Sequence, residues 1–482
     1  MRIIPVYVLI FLLSFYVIGD TDLGWHLRVG EYIFNYHKIP QNFLFSFTNP
    51  NAIYIHYSWL AELFMYVFYR FLGMWGISIF YAIILTATVI VIAKTCRFFT
   101  NKRIFMPYFI LLTPLAHAVA GGRTIVFGLF FFSLTYYLLI RYQKHNSKTV
   151  WLIPSIFIIW TNFHASFTVG LLLITIFFTA KTIASSPPKK FSGKHAVILV
   201  ALSFLATLIN PHFVDIWSRT ILTTTIQLSN LKSINPTWES SLDKGTIGVI
   251  YIFSATTIGI FALLSRRIPL QQKMLVWTFI ITPLITSRFL FVLLPILSPI
   301  VYTAISETTN KFVLKSQRSF FLKLITAVIF LVFIPFSIIS PLEARFAYAS
   351  FENYSHHLAT YSPNKNYYKN WSQPGYLFYK NNLANKNILT DANWGGLFIL
   401  DEPQTKVFYY GALDNLVIDK KPFPFEYLTI VNALGNWQEK IDKYPIEVVL
   451  LPINYPIVKE LQNNDNWKKS YEDNLVVILM KV

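Results

Sequence analysis

Two acidic residues stand directly after the first apolar run, in the stretch GDTDLGWHLRVGEYI that begins at Gly19. Asp20 and Asp22 are separated by one residue, and His26 and Arg28 follow shortly after them. A positioned carboxylate or imidazole can act as a general base. Two carboxylates can also hold a divalent cation such as Mg²⁺ or Mn²⁺ through hard oxygen ligands. The stretch therefore predicts acid–base chemistry or metal binding where a membrane helix ends, unless Asp20 is only an acid at the membrane boundary.

The composition of the whole chain is that of a polytopic membrane protein. Of its 482 residues, 54% are hydrophobic and 13% are charged, whereas a soluble domain has about a quarter charged residues. We attribute the net charge of +18 to basic cytoplasmic loops and expect no nucleic-acid partner. Cys96 is the single cysteine, which excludes an intrachain disulfide. The run 3–18 has no small-residue cleavage site after it, so it predicts a retained first transmembrane helix.

Hydropathy and basic residues together predict the topology. A spanning helix needs roughly 20 apolar residues, and about eleven runs qualify. Basic residues follow every second run, which predicts a cytoplasmic N-terminus and places the chain after about residue 341 outside. The predicted runs are 3–19, 74–96, 104–117, 123–140, 149–161, 165–182, 195–210, 246–264, 273–287, 289–305 and 320–340.

The last 142 residues differ in composition from the rest and predict a separate domain. Short β-like runs alternate there with polar stretches of helical character. We therefore expect a transmembrane domain over 1–340 and a small extracytoplasmic α/β domain over 341–482. The β-like runs are NILT, KVFYYG, IEVVLLP and NLVVILMKV.

Isolated polar residues collect in the connections that this topology places outside. In the long first connection, 20–73, one amphipathic stretch around Trp25 predicts a helix along the membrane surface, and Glu62 interrupts a second apolar stretch. Asn162 comes only about 14 residues after Lys148, roughly 20 Å of helix against a hydrocarbon core of ~30 Å. Ionisable groups at membrane depth usually line a cavity or pair with each other. We therefore predict an outward-facing polar cavity, whose further residues are His164, Arg123 and Arg288.

Each of these residues also has a simpler explanation. A single arginine or histidine at a helix end is often an interfacial anchor, and Glu62 can be solvated on the polar side of a surface helix. The joint placement favours function, because acids, histidines and isolated arginines gather on one side and lysines on the other.

Motifs along nearly the whole chain resemble a bacterial family of GT-C-type membrane glycosyltransferases, related to the protein mannosyltransferase and aminoarabinose transferase superfamily. The most specific is the first-connection pattern DTDLGWHLRVGEYI…KIPQNFLFSFT…YSWLAELFMYVFYRFLGMWGI. Two positions depart from the family pattern, Ala165 in NFHASF and the stretch YYGALDN in the tail, where relatives tend to read DGR. The weaker motifs are GGRTIVFGLF, IIWTNFHASFTVGLLL, LINPHF, NPTWES, TSRFLFVLLPILSP, DANWGGLFIL, KVFYYGALDNL and WKKSYEDNLVVILMKV.

The resemblance implies a GT-C-like fold and a reaction type. Such enzymes transfer a sugar, here a hexose or a pentose, from a polyprenyl-phosphate carrier to a lipid, glycan or protein acceptor on the outer face of the cytoplasmic membrane. By similarity, Asp22 is the first candidate for the catalytic base and Asp20 the second. The same pair is the candidate site for a divalent cation, which several relatives do not need.

The remaining residues would serve the donor. A lipid phosphate that leaves carries charge, and cations in a low-dielectric site stabilise it. Arg123 and Arg288 fit this role because a guanidinium forks onto phosphate oxygens. We expect His164, His26, Asn162 and Glu62 to contact the donor phosphate or sugar, and Trp25 or Trp59 to stack on sugar.

Three other functions remain open from the sequence. A transporter or flippase for a lipid-linked or polar substrate would also bury charges, but usually shows repeat symmetry, which we do not find. An O-antigen ligase or polymerase usually places its key residues in a large late loop, whereas the charge-rich element here is the first connection. A non-catalytic assembly partner would not need Asp20 and Asp22. The substitution Asp22→Asn separates these functions, since it should abolish sugar transfer but leave assembly intact.

Overall fold

The fold is described from a computed structural model of the chain. It describes residues 4–99, 108–110, 112–113, 116, 124–183, 193–230, 246–265, 268–311, 337–362, 365–418 and 421–482.

Most of the predicted apolar runs form helices, because a helix satisfies every backbone polar group within its own segment. Three helical stretches in the described ranges are long and apolar enough to cross a membrane, namely Trp59–Cys96, Ile125–His145 and Ser287–Ala304. The predicted count of about eleven spans remains a prediction, and the runs 104–117 and 320–340 lie largely outside the described residues. In the first two-thirds of the chain the helices are α1 Ile4–Ser14, α2 Leu23–Tyr36, α3 Trp59–Cys96, α4 Ile125–His145, α5 Ile153–Phe163, α6 Phe167–Ile183, α7 Gly193–Ala206, α8 Asp215–Asn230, α9 Thr246–Leu264, α10 Leu270–Ile285 and α11 Leu293–Lys311.

Helix α3 consists of two parts joined at Gly73. This residue has φ 59°, a left-handed conformation that glycine adopts without a steric penalty. The second part begins where the sequence predicted the span 74–96, and the first part carries Glu62. The kink thus separates the polar-interrupted stretch from the apolar one.

The chain divides into two compact units, each built from two separate segments. The first unit contains Met1–Tyr16 and Ile79–Pro341, and the second contains Val17–Ser78 and Leu342–Val482. In the first unit, Ile10, Val89, Phe109 and Tyr302 belong to one buried apolar cluster. The predicted boundary between a catalytic domain and a C-terminal domain remains a prediction.

The second unit contains a mixed four-stranded sheet in the order β1-β4-β6-β5, in which β1 is parallel to β4 and the other pairs are antiparallel. A two-stranded ribbon, β2 and β3, accompanies it. The strands are β1 Ile388–Thr390, β2 Val417–Ile418, β3 Lys421–Pro422, β4 Val448–Pro452, β5 Trp467–Glu472 and β6 Val476–Lys481. The helices are α12 over 337–347, which contains the sequence boundary Pro341/Leu342, α13 Phe351–Thr360, α14 Gln373–Asn382, α15 Gly395–Asp401, α16 Phe423–Val431, α17 Trp437–Asp442 and α18 Pro456–Gln462.

Three of the four predicted β-like runs are confirmed as β1, β4 and β6. The run KVFYYG is not a strand, because in it only Val407 pairs, through isolated bridges to Ser46 and Ile388. Val407 thereby joins the segment 17–78 to the sheet of the later segment.

The motif DANWGG forms the turn from β1 into α15. The buried carboxylate of Asp391 accepts hydrogen bonds from the Asn393 backbone N–H at 2.8 Å and from the Tyr455 hydroxyl at 2.5 Å. Trp394 is buried and donates its indole N–H to the carbonyl of Tyr367 at 3.1 Å. These bonds fix the position from which Gly395 and Gly396 begin the helix.

We expect Asp391 to make the stability of this unit depend on acidity. Burial raises the pKa of Asp391 above its ordinary value, although hydrogen bonds from Tyr455 and Asn393 lower it. The folded protein therefore holds this proton more tightly than the unfolded chain does. The stabilising contribution is complete below the ordinary pKa and is lost as pH rises through the raised pKa.

Thermal unfolding across about pH 3 to 7, a range that brackets the ordinary aspartate pKa, tests this prediction. The melting temperature of Asp391→Asn should fall less with rising pH than that of the wild type. The exposed Asp442→Asn is the control. Parallel curves for wild type and Asp391→Asn would contradict the prediction.

Candidate active site

Asp22 lies at the start of α2, the helix that the amphipathic pattern predicted. It occupies the N-cap position, but its side chain makes no capping hydrogen bond. Instead, Oδ1 accepts the indole N–H of Trp25 at 3.0 Å. Asp22 is half-buried, and the N-terminal end of a helix favours negative charge. A carboxylate held in this way can serve as a proton acceptor.

Asp20 supports the backbone of Asp22. Its Oδ1 accepts the backbone N–H of Asp22 at 2.9 Å, and its side chain is buried. Asp22 is therefore the more accessible of the two predicted acids.

Glycines allow this turn to lie against the tail segment. A Cβ on Gly24 would overlap the carbonyl oxygen of Gly396, and a Cβ on Gly396 would overlap that of Thr21. A Cβ on Gly411 would overlap the carboxylate of Asp22. The guanidinium of Arg28 donates to the carbonyls of Ile399 and Leu400 at the end of α15. The position of Asp22 thus depends on residues almost 400 positions later in the chain.

We expect Gly411→Ala to impair the site more than the fold. The new methyl group would displace the Asp22 carboxylate, and a displacement of about 1 Å can cost on the order of 10² in rate. Product formation should fall at least about tenfold. Gly193→Ala is the matched control, since open space surrounds that Cβ position. Equal activity of Gly411→Ala and Gly193→Ala would disprove the close contact.

Glu62 is buried and paired with His26, so the simpler explanation of a solvated side chain is wrong. Only 1% of Glu62 is exposed, because the first part of α3 lies against α2 at Gly30, where a Cβ would overlap the Glu62 carbonyl oxygen. Oε1 of Glu62 lies 2.8 Å from Nδ1 of His26. His56 approaches the other oxygen, with Nδ1 3.8 Å from Oε2.

Three tyrosines lie within electrostatic reach of these acids. Burial, together with Tyr57, Glu62, Tyr410 and Asp22, raises the pKa of Tyr54 well above its usual value. Burial and the Asp414 and Asp22 carboxylates do the same for the pKa of Tyr409. Tyr410 meets the Trp25 ring edge-on at 5.9 Å. The phenols remain neutral at ordinary pH, and Asp22 lies among aromatic groups from both segments of the second unit.

Asn162 and His164 lie in the first unit, at the end of α5. The amide nitrogen of Asn162 donates to the carbonyls of Ile158 and Ile209, at 2.7 and 2.9 Å. This amide therefore joins the end of α5 to the turn that follows α7. Its predicted contact with the donor stays a prediction.

The side chain of His164 is held by Ser166. The Ser166 backbone N–H donates to Nδ1 of His164 at 3.0 Å, and the Ser166 hydroxyl, which accepts from the indole of Trp160, lies 2.8 Å from the same nitrogen. Nδ1 is thus an acceptor, which assigns the proton of the neutral imidazole to Nε2. The predicted contact of His164 with the donor stays a prediction.

Of the two predicted arginines, the structure describes only Arg288. Arg288 is half-buried in a 3₁₀ turn, Ser287–Val292, between α10 and α11, and its backbone N–H donates to the Thr286 hydroxyl. Arg123 lies outside the described residues.

The described residues contain no group of three or more His, Cys, Asp or Glu side chains that could hold a metal ion. Asp20 and Asp22 would therefore bind Mg²⁺ or Mn²⁺ only together with water or substrate oxygens.

A surface cavity of about 340 Å³ lies in the second unit. Asn42, Ser46 and Lys406 are among its lining residues, and none of the predicted site residues lines it.

Sequence reasoning did not identify Gly396, Tyr410 and Gly411 as parts of this site. Their signal was present in the motifs DANWGG and KVFYYGALDNL. A glycine pair or a glycine after two aromatic residues can indicate close backbone approach, but nothing in the sequence showed which residue approaches.

Comparison with solved structures shows the fold. The crystal structure of the Archaeoglobus fulgidus oligosaccharyltransferase in the apo form matches with TM-score 0.55 and 11% identity, over 93% of this chain and 69% of that one. The archaeal oligosaccharyltransferase AglB from the same organism, in complex with an inhibitory peptide and a dolichol-phosphate, gives TM-score 0.58 with the same identity and coverage. The chain therefore has a GT-C-like fold. No protein-family model and no curated protein sequence matches it.

Proposed function

We propose that the chain is an integral membrane glycosyltransferase of the bacterial cytoplasmic membrane. It takes a hexose or pentose from a polyprenyl-phosphate carrier and transfers it to a lipid, glycan or protein acceptor on the outer face. The observation that carries the proposal is a half-buried carboxylate, Asp22, held at the start of a helix in a GT-C-like fold. The dolichol-phosphate and peptide bound by the archaeal structure support a lipid-linked donor and make a protein one acceptor class to test.

In the proposed mechanism Asp22 accepts the proton of the acceptor hydroxyl as the oxygen attacks the anomeric carbon. Base catalysis of this kind contributes about 10²–10⁴ in rate. The bond to the carrier phosphate breaks at the same time, and the phosphate leaves with its electron pair. Arg123, Arg288 and His164, the residues that the sequence predicts for the donor phosphate, are proposed to stabilise its charge. Asp20 keeps Asp22 in place, and the two carboxylates would be the protein ligands of a divalent cation if the reaction uses one.

The experiment that tests the proposed function is glycan and lipid profiling of host cells with and without the gene. Loss of one sugar from one glycoconjugate, restored by the wild-type chain, supports transfer and identifies the acceptor. Unchanged glycans and lipids in the deletion strain would refute the proposal.

The proposed topology has about eleven spans, with the N-terminus cytoplasmic and residues 341–482 outside. The test uses a chain in which the single cysteine is removed by Cys96→Ser. We expect Glu472→Cys to react with a membrane-impermeant maleimide in intact cells and Lys144→Cys to react only after lysis. Both positions are exposed. The reverse pattern would overturn the orientation.

A further inference from the structure

A chain of contacts connects the buried carboxylate of Glu62 to Asp22. Oε1 of Glu62 lies 2.8 Å from Nδ1 of His26, and the His26 and Trp25 ring centroids are 3.6 Å apart. The indole N–H of Trp25 donates to Oδ1 of Asp22 at 3.0 Å. Each link is a direct contact, so the chain joins the Glu62 carboxylate to the Asp22 carboxylate without a gap.

Burial of the Glu62 carboxylate lowers the stability of the folded protein, which suggests a functional reason for its position. Glu62 and His56 are 1% and 2% exposed, Oε2 of Glu62 and Nδ1 of His56 approach each other only to 3.8 Å, and Nε2 of His56 makes no hydrogen bond within the described structure. Buried polar atoms without partners destabilise a fold, and an apolar side chain of similar volume is often at least as stable as a buried ion pair. Stability alone therefore does not account for this cluster, which also faces Tyr54 and Tyr410.

We propose that Glu62 is a positioning residue for Asp22. It fixes the ring of His26, which supports the ring of Trp25, whose N–H directs the carboxylate towards the reacting hydroxyl. This assignment rests on the proposed function. It differs from the donor contact predicted for Glu62 and His26, because neither residue needs to touch a substrate.

The test measures the fluorine NMR resonance of Trp25 in the full chain, without any substrate. The protein is labelled with 5-fluorotryptophan, and the Trp25 resonance among the 12 tryptophans is assigned with Trp25→Phe. Glu62→Gln keeps the shape of the side chain and removes its charge. We expect the Trp25 resonance to move while the others stay, whereas the exposed Glu472→Gln should move none of the resonances near Trp25. If Glu62→Gln does not fold, His26→Gln interrupts the same chain at the next link.

The second readout is the glycoconjugate that Asp22→Asn removes. We expect Glu62→Gln to lower its rate of formation about tenfold to a hundredfold, and Glu62→Asp, which keeps the charge, to restore part of it. An unmoved Trp25 resonance in folded Glu62→Gln overturns the proposal, as does a moved resonance with an unchanged rate. If deletion of the gene changes no glycan, the proposed function fails instead, and the Trp25 resonance still reports whether the contacts exist.

Discussion

Cells that carry Asp22→Asn in place of the wild type are expected to lose the sugar transfer that the deletion strain lacks. Asparagine keeps the size of the side chain and can still accept the Trp25 N–H through its oxygen, but it cannot take a proton from a hydroxyl. The rate should fall by about 10²–10⁴. The measurement is the amount of the affected glycoconjugate, with equal protein levels in the membrane.

Asp442→Asn is the control, since it removes an exposed carboxylate of the same unit. It should restore the deletion strain fully. If Asp22→Asn also restores it, Asp22 is not the base, and Asp20→Asn is the next variant to measure. Asparagine at position 20 can still accept the Asp22 backbone N–H through its oxygen, so a loss of transfer in Asp20→Asn alone would assign the chemistry to Asp20.

Gly396→Ala should have the second large effect, on stability and on transfer together. Its Cβ would overlap the carbonyl oxygen of Thr21, a backbone atom that cannot move aside as a flexible side chain can. Overpacking of this kind costs about 1–3 kcal/mol. Thr21 lies between Asp20 and Asp22, so the same displacement moves both acids.

Thermal unfolding of the purified protein and product formation in cells measure the two parts of this prediction. Gly193→Ala, with open space around its Cβ position, controls for the added methyl group. If Gly396→Ala has the same melting temperature as the wild type and transfers sugar at the same rate, Gly396 does not lie in close contact with the Thr21 carbonyl oxygen.

Helices and strands were predicted correctly where the pattern of apolar residues within the element is enough to identify it. Helix α2 followed from its amphipathic period, and β4 and β6 from short apolar runs. Strand β5 was missed because WKKSYE is polar, as befits the edge strand of the sheet. The sequence could not reveal that Glu62 is buried, because its partners, His26 and His56, are brought to it by packing.

Only part of the candidate site could be predicted, because some of its contacts are local in sequence and others are not. The acids after the first apolar run were found from residue type and spacing. The contacts of Asp22 with Gly411 and of Thr21 with Gly396 join segments that are distant in sequence, and a single sequence carries no record of such pairing. The roles of Arg288, His164 and Asn162 stay predictions.

The two-segment construction of the second unit has a consequence for biosynthesis. Val17–Ser78 and Leu342–Val482 are separated by about 260 residues, which a ribosome adds in roughly 13–50 s at about 5–20 residues per second. During that interval Asp22 lacks its contact with Gly411, Trp25 lacks Tyr410, and Gly24 of α2 lacks Gly396 of α15. Until Leu342–Val482 has been synthesised, the segment Val17–Ser78 lacks the residues against which it packs. A nascent or truncated chain should therefore be open to proteases at 17–78, and the proposed sugar transfer should require the completed chain.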